Sequence, residues 1–177
     1  MNEFVLDMDR IRADARYGME HGPVTEVYGK ETSYVTDVLN DVLASELVCV
    51  LRYKRHYYTA QGVHGPTVAA EFLEHANDEQ RHADQVAERI VQLGGEPDFD
   101  PAVLLQRSHS QYVAGGTLRE MVQEDLIGER IVISTYAEII RWLGDADPTT
   151  RRLMERLLTE EESHADDLRS LMQQLPD

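Results

Sequence analysis

Residues 79–84 read Glu-Gln-Arg-His-Ala-Asp, and residues 161–166 read Glu-Glu-Ser-His-Ala-Asp. In both stretches a glutamate is followed three residues later by a histidine and then by Ala-Asp. Residues three apart share one face of a helix, so each stretch directs a carboxylate and an imidazole toward the same point. The sequence therefore predicts two helices that each present a pair of metal-ligating side chains.

A further glutamate precedes each pair at nearly the same distance. Glu46 lies 33 residues before Glu79 (79 − 46), and Glu129 lies 32 residues before Glu161 (161 − 129). A helix rises ~1.5 Å per residue, so within about 30 residues the chain can continue to the end of one helix, turn, and come back along an antiparallel helix. The second glutamate then lies at about the same level of the bundle as the first. The chain thus carries two similar half-sites that together supply four carboxylates and two imidazoles. This donor set suits iron or manganese better than a structural zinc ion.

Helical periodicity dominates the rest of the chain. It predicts one short helix and four long ones, with these bounds: Glu3–Met19, Ser33–Gln61, Thr67–Leu93, Thr117–Leu143 and Asp147 onward. Thr117 followed by Glu120 is a capping-box sequence, and Asp147 followed by Pro148 is a typical helix start.

The connections between these helices predict the fold. They are short except between residues 96 and 116, where a short helix with Asp100 as its N-cap can form. We therefore expect an all-α protein, an antiparallel four-helix bundle with one long crossover. Residues 1–32 are interpreted as an N-terminal extension and residues 33–177 as the bundle domain.

Each of the four long helices places one glutamate inside its apolar stripe: Glu46, Glu79, Glu129 and Glu161. A buried carboxylate is costly unless it is paired, protonated or bound to a metal ion. One such residue can reflect a wrong helical phase, but one in every long helix requires a shared cause. We interpret that cause as a di-metal site, with a hydrogen-bonded carboxylate core that lacks metal as the alternative.

The composition narrows the class of protein. The 177 residues include 17 basic and 33 acidic side chains, and the formal net charge of −16 disfavours nucleic acid as a partner. The single cysteine, Cys49, excludes an internal disulfide and any cysteine-rich metal module. Residues 1–10 do not resemble a signal peptide, and no stretch approaches the roughly 18 apolar residues of a membrane span. We expect a cytoplasmic protein with no membrane partner.

The half-sites and their surroundings resemble bacterioferritin. The resemblance extends over about residues 35–172 and is carried by residues 39–61, 71–99 and 161–164. It implies a ferritin-like fold and ferroxidase activity, in which two Fe(II) ions per subunit are oxidised by O₂ or H₂O₂. Fe(III) would then be stored as a mineral inside a hollow homo-oligomer.

By the same resemblance, six residues would hold the two iron ions: Glu46, Glu79, His82, Glu129, Glu161 and His164. Glu46 and the first glutamate–histidine pair would bind one ion, and Glu129 and the second pair would bind the other. Glu79 would also reach the second ion and Glu129 the first, so that these two residues bridge.

Two tyrosines follow the upstream glutamates at equal distance. Tyr53 lies seven residues after Glu46, and Tyr136 lies seven residues after Glu129. Core packing is the common role of tyrosines at such positions. A redox role or a hydrogen bond to a ligand is the alternative, and the resemblance makes Tyr53 the stronger candidate for it.

Three features depart from the bacterioferritin pattern. Bacterioferritin has a methionine haem ligand directly after the glutamate of its first Glu-x-x-His stretch, whereas in this chain Gln80 follows Glu79, so we predict no haem. Only 13 residues follow His164, where bacterioferritin normally adds a short helix at the four-fold axis of its cage. The crossover is also longer than usual, and a helix in that linker is characteristic of the Dps mini-ferritins. The short tail and the longer crossover favour 12 subunits over 24.

Other polar residues have open assignments. Asp125 is interpreted as a hydrogen-bond partner near the site or a waypoint for iron. Asp84 and Asp166, two residues after the ligand histidines, are candidates to orient an imidazole N–H, with solvated salt bridges as the alternative. The mixed basic and aromatic run at residues 52–58 is expected to expose its charges on the outer helix face.

Two other functions compete with iron storage. A Dps-like particle could protect DNA or act on it, although the net charge argues against direct wrapping. A non-storing di-metal peroxidase or catalase would use the same ligands in a smaller assembly.

Overall fold

A computed structural model of the chain describes residues 4–175, which form six α-helices and no strand. The helices are α1 (Met8–Asp14), α2 (Thr32–Thr59), α3 (Gly65–Gln92), α4 (Leu104–Arg107), α5 (Leu118–Leu143) and α6 (Pro148–Gln174), with a 3-10 helix at Met19–His21. The predicted all-α fold with four long helices is confirmed, since α2, α3, α5 and α6 each contain 26 to 28 residues.

The four long helices form two antiparallel pairs. Helix α2 packs along α3, and α5 along α6, because short loops at residues 60–64 and 144–147 return the chain directly. The pairs meet where α2 contacts α5 and where α3 contacts α6, and the buried apolar side chains between them form one core. The crossover at residues 93–117 joins the pairs, and α4 within it packs on α2.

Capping residues determine where α5 and α6 begin. Thr117 accepts a hydrogen bond from the backbone N–H of Glu120, whose carboxylate accepts one from the backbone N–H of Thr117. Asp147 accepts one from the backbone N–H of Thr150 at 2.9 Å, and Pro148 lies in the first turn. Both predicted helix starts are therefore confirmed.

The N-terminal helix is shorter than predicted. It spans Met8–Asp14 instead of Glu3–Met19, and Glu3 itself lies outside the described residues. The predicted apolar side is not buried against the bundle core, since Val5 is 77% exposed and Met8 is 42% exposed. Without packing against a core, so short a helix gains little support for further turns.

The crossover contains a short helix, as predicted, but its start was assigned wrongly. Helix α4 begins at Leu104 after Val103, and the carboxylate of Asp100 accepts the backbone N–H of Ala102 at 2.9 Å instead. Asp100 therefore stabilises a turn before the helix. Leu104 packs against α2 at Ala44 and Val48, which holds the crossover on that helix.

The expectation that the charges of residues 52–58 are exposed is wrong for Arg52, which is 1% exposed. Its Nη1 donates to Ser110 Oγ and to the backbone oxygen of Gln111, both at 2.8 Å, and its Nε donates to Asp125 Oδ1 at 2.7 Å. The crossover covers this face of α2, and it therefore converts an outer position into a buried one.

His56 is buried by the same cover. Its Nδ1 lies 2.7 Å from Asp125 Oδ2, and its Nε2 lies 2.9 Å from the backbone oxygen of Ala114. Asp125 is thus a buried partner of Arg52 and His56, and both of its oxygens are occupied by them. The interpretation of Asp125 as a waypoint for iron is not supported by these contacts.

The segment before α2 contacts the loop between α5 and α6. Tyr28 donates a hydrogen bond to Asp147, and the backbone N–H of Gly29 donates to the backbone oxygen of Ala146 at 3.2 Å. The division at residue 32 stays a prediction, and residues 1–3 and 176–177 of the two proposed units lie outside the described residues. None of the described helices combines the length and apolarity that crossing a bilayer requires.

Candidate metal centre

The structure brings all six predicted ligand residues together between the four long helices. Helix α2 contributes one glutamate, α5 one glutamate, and α3 and α6 a glutamate–histidine pair each: Glu46; Glu129; Glu79 and His82; Glu161 and His164. None of the six is more than 4% exposed. Water has little access to them, so their charges are compensated mainly by one another or by bound ions.

The ligand atoms form two overlapping groups, each with atoms within 4.8 Å of one another. The first group consists of Glu46, Glu79, His82 and Glu161, and the second of Glu79, Glu129, Glu161 and His164. The two groups share Glu79 and Glu161. Glu129 belongs to one group only, so this geometry favours Glu161 over Glu129 as the second shared residue, and the bridging assignment stays a prediction. The shared residues are the glutamates of the two Glu-x-x-His stretches.

The cluster is unusual because its buried polar atoms lack hydrogen-bond partners. Among the described residues, seven buried side-chain nitrogen or oxygen atoms have none, and six of them belong to this cluster. These six are Glu79 Oε1, His82 Nδ1, Glu129 Oε2, Glu161 Oε1 and Oε2, and His164 Nδ1. An unsatisfied buried polar atom costs about 1–3 kcal/mol. A pair of divalent cations would satisfy these atoms, and four carboxylates would balance their charge, so the residues fit a di-metal site.

Both imidazoles turn Nδ1 toward the carboxylates and Nε2 away from them. His82 Nδ1 lies 3.0 Å from Glu161 Oε1, and its Nε2 lies 2.9 Å from Glu160 Oε2. His164 Nε2 lies 3.4 Å from Asp78 Oδ2. Each histidine of one half-site is therefore oriented by the acidic residue directly before the ligand glutamate of the other half-site. Such partners fix the tautomer that leaves Nδ1 free to bind a metal ion.

The proposed orienting residues Asp84 and Asp166 do not contact the imidazoles. Asp84 accepts a hydrogen bond from Gln80 at 3.0 Å, and Asp166 pairs with Arg169 at 2.6 Å. The alternative of a solvated salt bridge therefore holds for Asp166, whereas Asp84 makes a surface hydrogen bond to a neutral side chain. The sequence contained a usable signal, since an acidic residue precedes the ligand glutamate in both stretches.

The glutamates of the cluster differ in their pKa values because of burial and of their interactions with one another. Burial, followed by the charges of Glu79 and Glu161, raises the pKa of Glu46 and of Glu129 well above the ordinary value. Burial acts in the same direction on Glu79, but the Glu46 carboxyl and the two imidazoles that face its carboxylate lower its pKa well below that value. The cluster therefore holds protons that a bound cation would displace.

Each of the two tyrosines donates a hydrogen bond to the upstream glutamate of the other half-site. Tyr53 of α2 donates to Glu129 of α5, and Tyr136 of α5 donates to Glu46 of α2. Both rings are 0% exposed. They therefore pack in the core and also hold a ligand carboxylate, while a redox role for Tyr53 stays a prediction.

Sequence analysis missed His75. This residue is 2% exposed, its ring stacks on His164 with centroids 4.1 Å apart, and its Nδ1 lies 3.2 Å from the hydroxyl oxygen of Tyr53. Burial and then the charge of His164 lower the pKa of His75 to about 3. Its position one helical turn before Glu79 was the available signal.

Comparison with known proteins identifies the family. The family model described as a ferritin-like domain matches residues 36–177. Bacterioferritin from Desulfovibrio desulfuricans is 31% identical over 131 residues, covering 73% of this chain and 69% of that protein. A nutrient stress-induced DNA-binding protein from Synechococcus is 30% identical over 147 residues, covering 78% and 82% of the two chains.

Solved structures agree in fold. The bacterioferritin-related protein from Bacteroides fragilis, described as a dodecameric thioferritin, superposes with a TM-score of 0.79 at 28% identity, covering 82% of this chain and 88% of that one. The D. desulfuricans bacterioferritin, whose diiron site has been characterised in different catalytic states, superposes with a TM-score of 0.71 at 29% identity, covering 80% of each chain. From the match over residues 36–177 and these relatives, the chain belongs to the ferritin-like family and resembles its bacterioferritin and Dps members.

Proposed function

We propose that the protein is a ferroxidase that stores iron. It would oxidise Fe(II) with O₂ or H₂O₂ at a di-iron site contained within one subunit and keep the Fe(III) inside a hollow oligomer. The observation that carries the proposal is the set of six buried, unpartnered ligand atoms contributed by the four long helices. Carboxylate-rich sites with two imidazoles are the di-iron pattern of ferritin-like bundles.

The geometry supports a definite division of roles. The ligand groups of the two ions would share Glu79 and Glu161, while Glu46 and Glu129 would each serve one ion. Bound iron supplies the electrons that reduce the oxidant. The protein supplies fixed ligands, a site that excludes bulk water, and carboxylates whose protons leave as cations bind. Tyr53 would position Glu129 and is our candidate for a residue that takes part in electron transfer.

Fe(II) oxidation tests the proposal directly. Anaerobic loading with about two Fe(II) per subunit, followed by air, should give a fast rise in Fe(III) absorbance. Glu129→Gln should remove this fast phase, because it deletes one ligand charge from the cluster. The matched control is Glu138→Gln on the exposed side of the same helix, where the side chain is 74% exposed. An unchanged fast phase in Glu129→Gln, or its equal loss in Glu138→Gln, would refute the assignment.

The assembly is proposed to contain 12 subunits, with the dodecameric B. fragilis relative in support. A dodecamer of 20.2 kDa chains would have a native mass of about 240 kDa, and a 24-mer twice that mass. Native mass spectrometry separates the two. A dimer would instead favour the non-storing peroxidase or catalase. The absence of haem, argued from Gln80, and the cytoplasmic location stay predictions.

DNA protection is the second candidate, because one relative at 30% identity is named a DNA-binding protein. The net charge of −16 argues against direct binding, since phosphate contacts need clustered cations. A gel-shift assay at rising ionic strength decides between the two. Complexes that survive about 0.2 M salt would favour the DNA-binding function.

A further inference from the structure

A second set of metal-ligating side chains lies at the surface beside the di-metal cluster. Glu71 and His75 are one turn apart on α3, and Asp167 faces them from α6. Each residue offers one ligand atom, and these atoms lie within 4.8 Å of one another. Neither sequence analysis nor the proposed di-iron site uses these three residues.

The hydrogen bonds around His75 leave one of its nitrogens directed at carboxylates. Tyr53 donates a hydrogen bond to Glu129, and its oxygen lies 3.2 Å from His75 Nδ1, which donates to it in the tautomer protonated on Nδ1. A neutral imidazole protonated on Nδ1 has its lone pair on Nε2. That Nε2 makes no hydrogen bond among the described residues and lies 3.4 Å from Glu71 Oε1. In this tautomer two acceptors face each other, and their repulsion is relieved either by a metal ion between them or by movement of the proton to Nε2.

No basic side chain neutralises the two carboxylates. Within the described part of the chain, Glu71 and Asp167 form no ion pair with a lysine or arginine. The next residue shows the contrast, since Asp166 pairs with Arg169 at 2.6 Å. The three groups therefore concentrate acceptors and negative charge around one point that also carries an imidazole lone pair.

We propose that Glu71, His75 and Asp167 form a third divalent-cation site, separate from the di-metal cluster. One imidazole and two carboxylates suit a first-row transition-metal ion such as Fe(II), Co(II) or Zn(II), with water as the remaining ligand. Asp167 is exposed and Glu71 half-buried, so the site is open to solvent. The stacking of His75 on His164 places the third ion next to the di-metal ligands. The proposal requires no oxidation at that cluster.

Counting bound metal tests the proposal. The assembled protein is dialysed anaerobically against Co(II) at about 0.15 M salt, which screens weak binding to the acidic surface, and bound cobalt is measured per chain. We expect three Co(II) ions in the unmodified protein. Glu71→Gln and Asp167→Asn should each reduce this number to two, because each removes a carboxylate from the third site only.

Two controls separate this outcome from other causes. Asp166→Asn removes a neighbouring surface charge and should keep three ions. A double variant, Glu46→Gln with Glu161→Gln, should keep one ion, which is lost when Asp167→Asn is added. A single Co(II) ion in the unmodified protein that disappears with Asp167→Asn would support the third site and refute the di-metal site. Two ions that are unaffected by Asp167→Asn and Glu71→Gln would refute the third site alone.

Discussion

The guanidinium of Arg52 on α2 occupies the space into which a side chain at Gly128 on α5 would project. A Cβ built on Gly128 would lie 2.7 Å from Cζ of Arg52, which is closer than real contacts of this kind. Arg52 has no freedom to withdraw, because Asp125 and Ser110 hold it at 2.7 and 2.8 Å. The missing side chain at residue 128 therefore allows a buried arginine to pass between two helices and hold the crossover.

Gly128→Ala should destabilise the protein by about 1–3 kcal/mol, the usual cost of overpacking a filled interior. A glycine-to-alanine change within a helix otherwise stabilises by roughly 0.5–1 kcal/mol. Thermal denaturation of the assembled protein measures the effect. Ser134→Ala, at an exposed position of the same helix, is the control and should change little. An increase in the melting temperature of Gly128→Ala would mean that Arg52 finds another position at no cost.

Arg52 also illustrates where sequence reasoning stops. The long helices and the ligand pairs were predictable because periodicity and the i, i+3 relationship are local properties of a helix. The face of α2 at Arg52 was assigned to solvent because the crossover at residues 108–116 has no regular pattern. Only its folded path shows that Ser110 and Gln111 cover the arginine.

The predicted bridging pair differs from the pair shared by the two ligand groups for a related reason. Spacing along one helix shows that Glu79 and His82 act together, but not which carboxylate of another helix lies nearest. That distance depends on how the two helix pairs pack, and it brings Glu161, not Glu129, to the first group.

The partners of the imidazoles can be tested by mutation. Glu160 holds His82 Nε2 at 2.9 Å, and residues in this role typically contribute 10–100-fold to metal affinity. Glu160→Gln should therefore weaken Co(II) binding roughly 10-fold, measured by competition with a chelator. Asp84→Asn is the matched control, because Asp84 lies two residues after the same histidine but accepts a hydrogen bond from Gln80 instead. Equal losses in both variants would mean that surface charge, and not imidazole orientation, sets the affinity.

The tyrosines allow a second comparison between the half-sites. Tyr53 bonds to Glu129 and also to His75, whereas Tyr136 bonds to Glu46 and has no second partner among the described residues. Tyr53→Phe should slow the fast phase of Fe(II) oxidation roughly 10-fold without changing the number of ions bound. Tyr136→Phe should have a smaller effect. Equal slowing in both variants would show that the two hydroxyls only orient ligand carboxylates.

The contribution of Asp147 to the stability of the folded protein should depend on pH. Burial raises its pKa, but hydrogen bonds from Thr150 and Tyr28 and the charge of Arg89 outweigh this effect and lower it. A lowered pKa stabilises the folded state above the unfolded value of about 3.9, and this contribution is lost as the pH falls through the folded value.

Asp147→Asn retains a capping side chain but removes the charge, so it should cost about 1.5–3 kcal/mol at neutral pH. The difference in unfolding free energy between Asp147→Asn and the unmodified protein, measured with denaturant, should be the same at pH 7 and at pH 5. It should shrink below about pH 3.9. Asp145→Asn changes a 99% exposed carboxylate in the same loop and should show no such dependence. A difference that persists unchanged below pH 3 would rule out the charge as its source.

Glu161 belongs to both ligand groups, so its mutation can distinguish a metal site from a carboxylate core that holds no metal. Neither oxygen of Glu161 accepts a hydrogen bond, although His82 Nδ1 lies 3.0 Å from Oε1 and His164 Nδ1 lies 3.4 Å from Oε2. We expect the burial of this carboxylate among three other glutamates to outweigh the two imidazole contacts in the metal-free protein. Glu161→Gln should therefore raise the stability of the metal-free protein by about 1 kcal/mol, as expected when a functional strain is removed. The unmodified protein should regain more than this on binding Co(II), about 2.7 kcal/mol at 100 times the dissociation constant.

Thermal denaturation with and without Co(II) measures both effects. Glu162→Gln, the exposed neighbour on the same helix, should behave like the unmodified protein in both conditions. The Co(II)-dependent rise in melting temperature should be much smaller in Glu161→Gln, because both ions lose a shared ligand. A metal-free Glu161→Gln protein that is less stable than the unmodified one would favour the alternative, since a glutamate that stabilises the core without a cation must be held by hydrogen bonds.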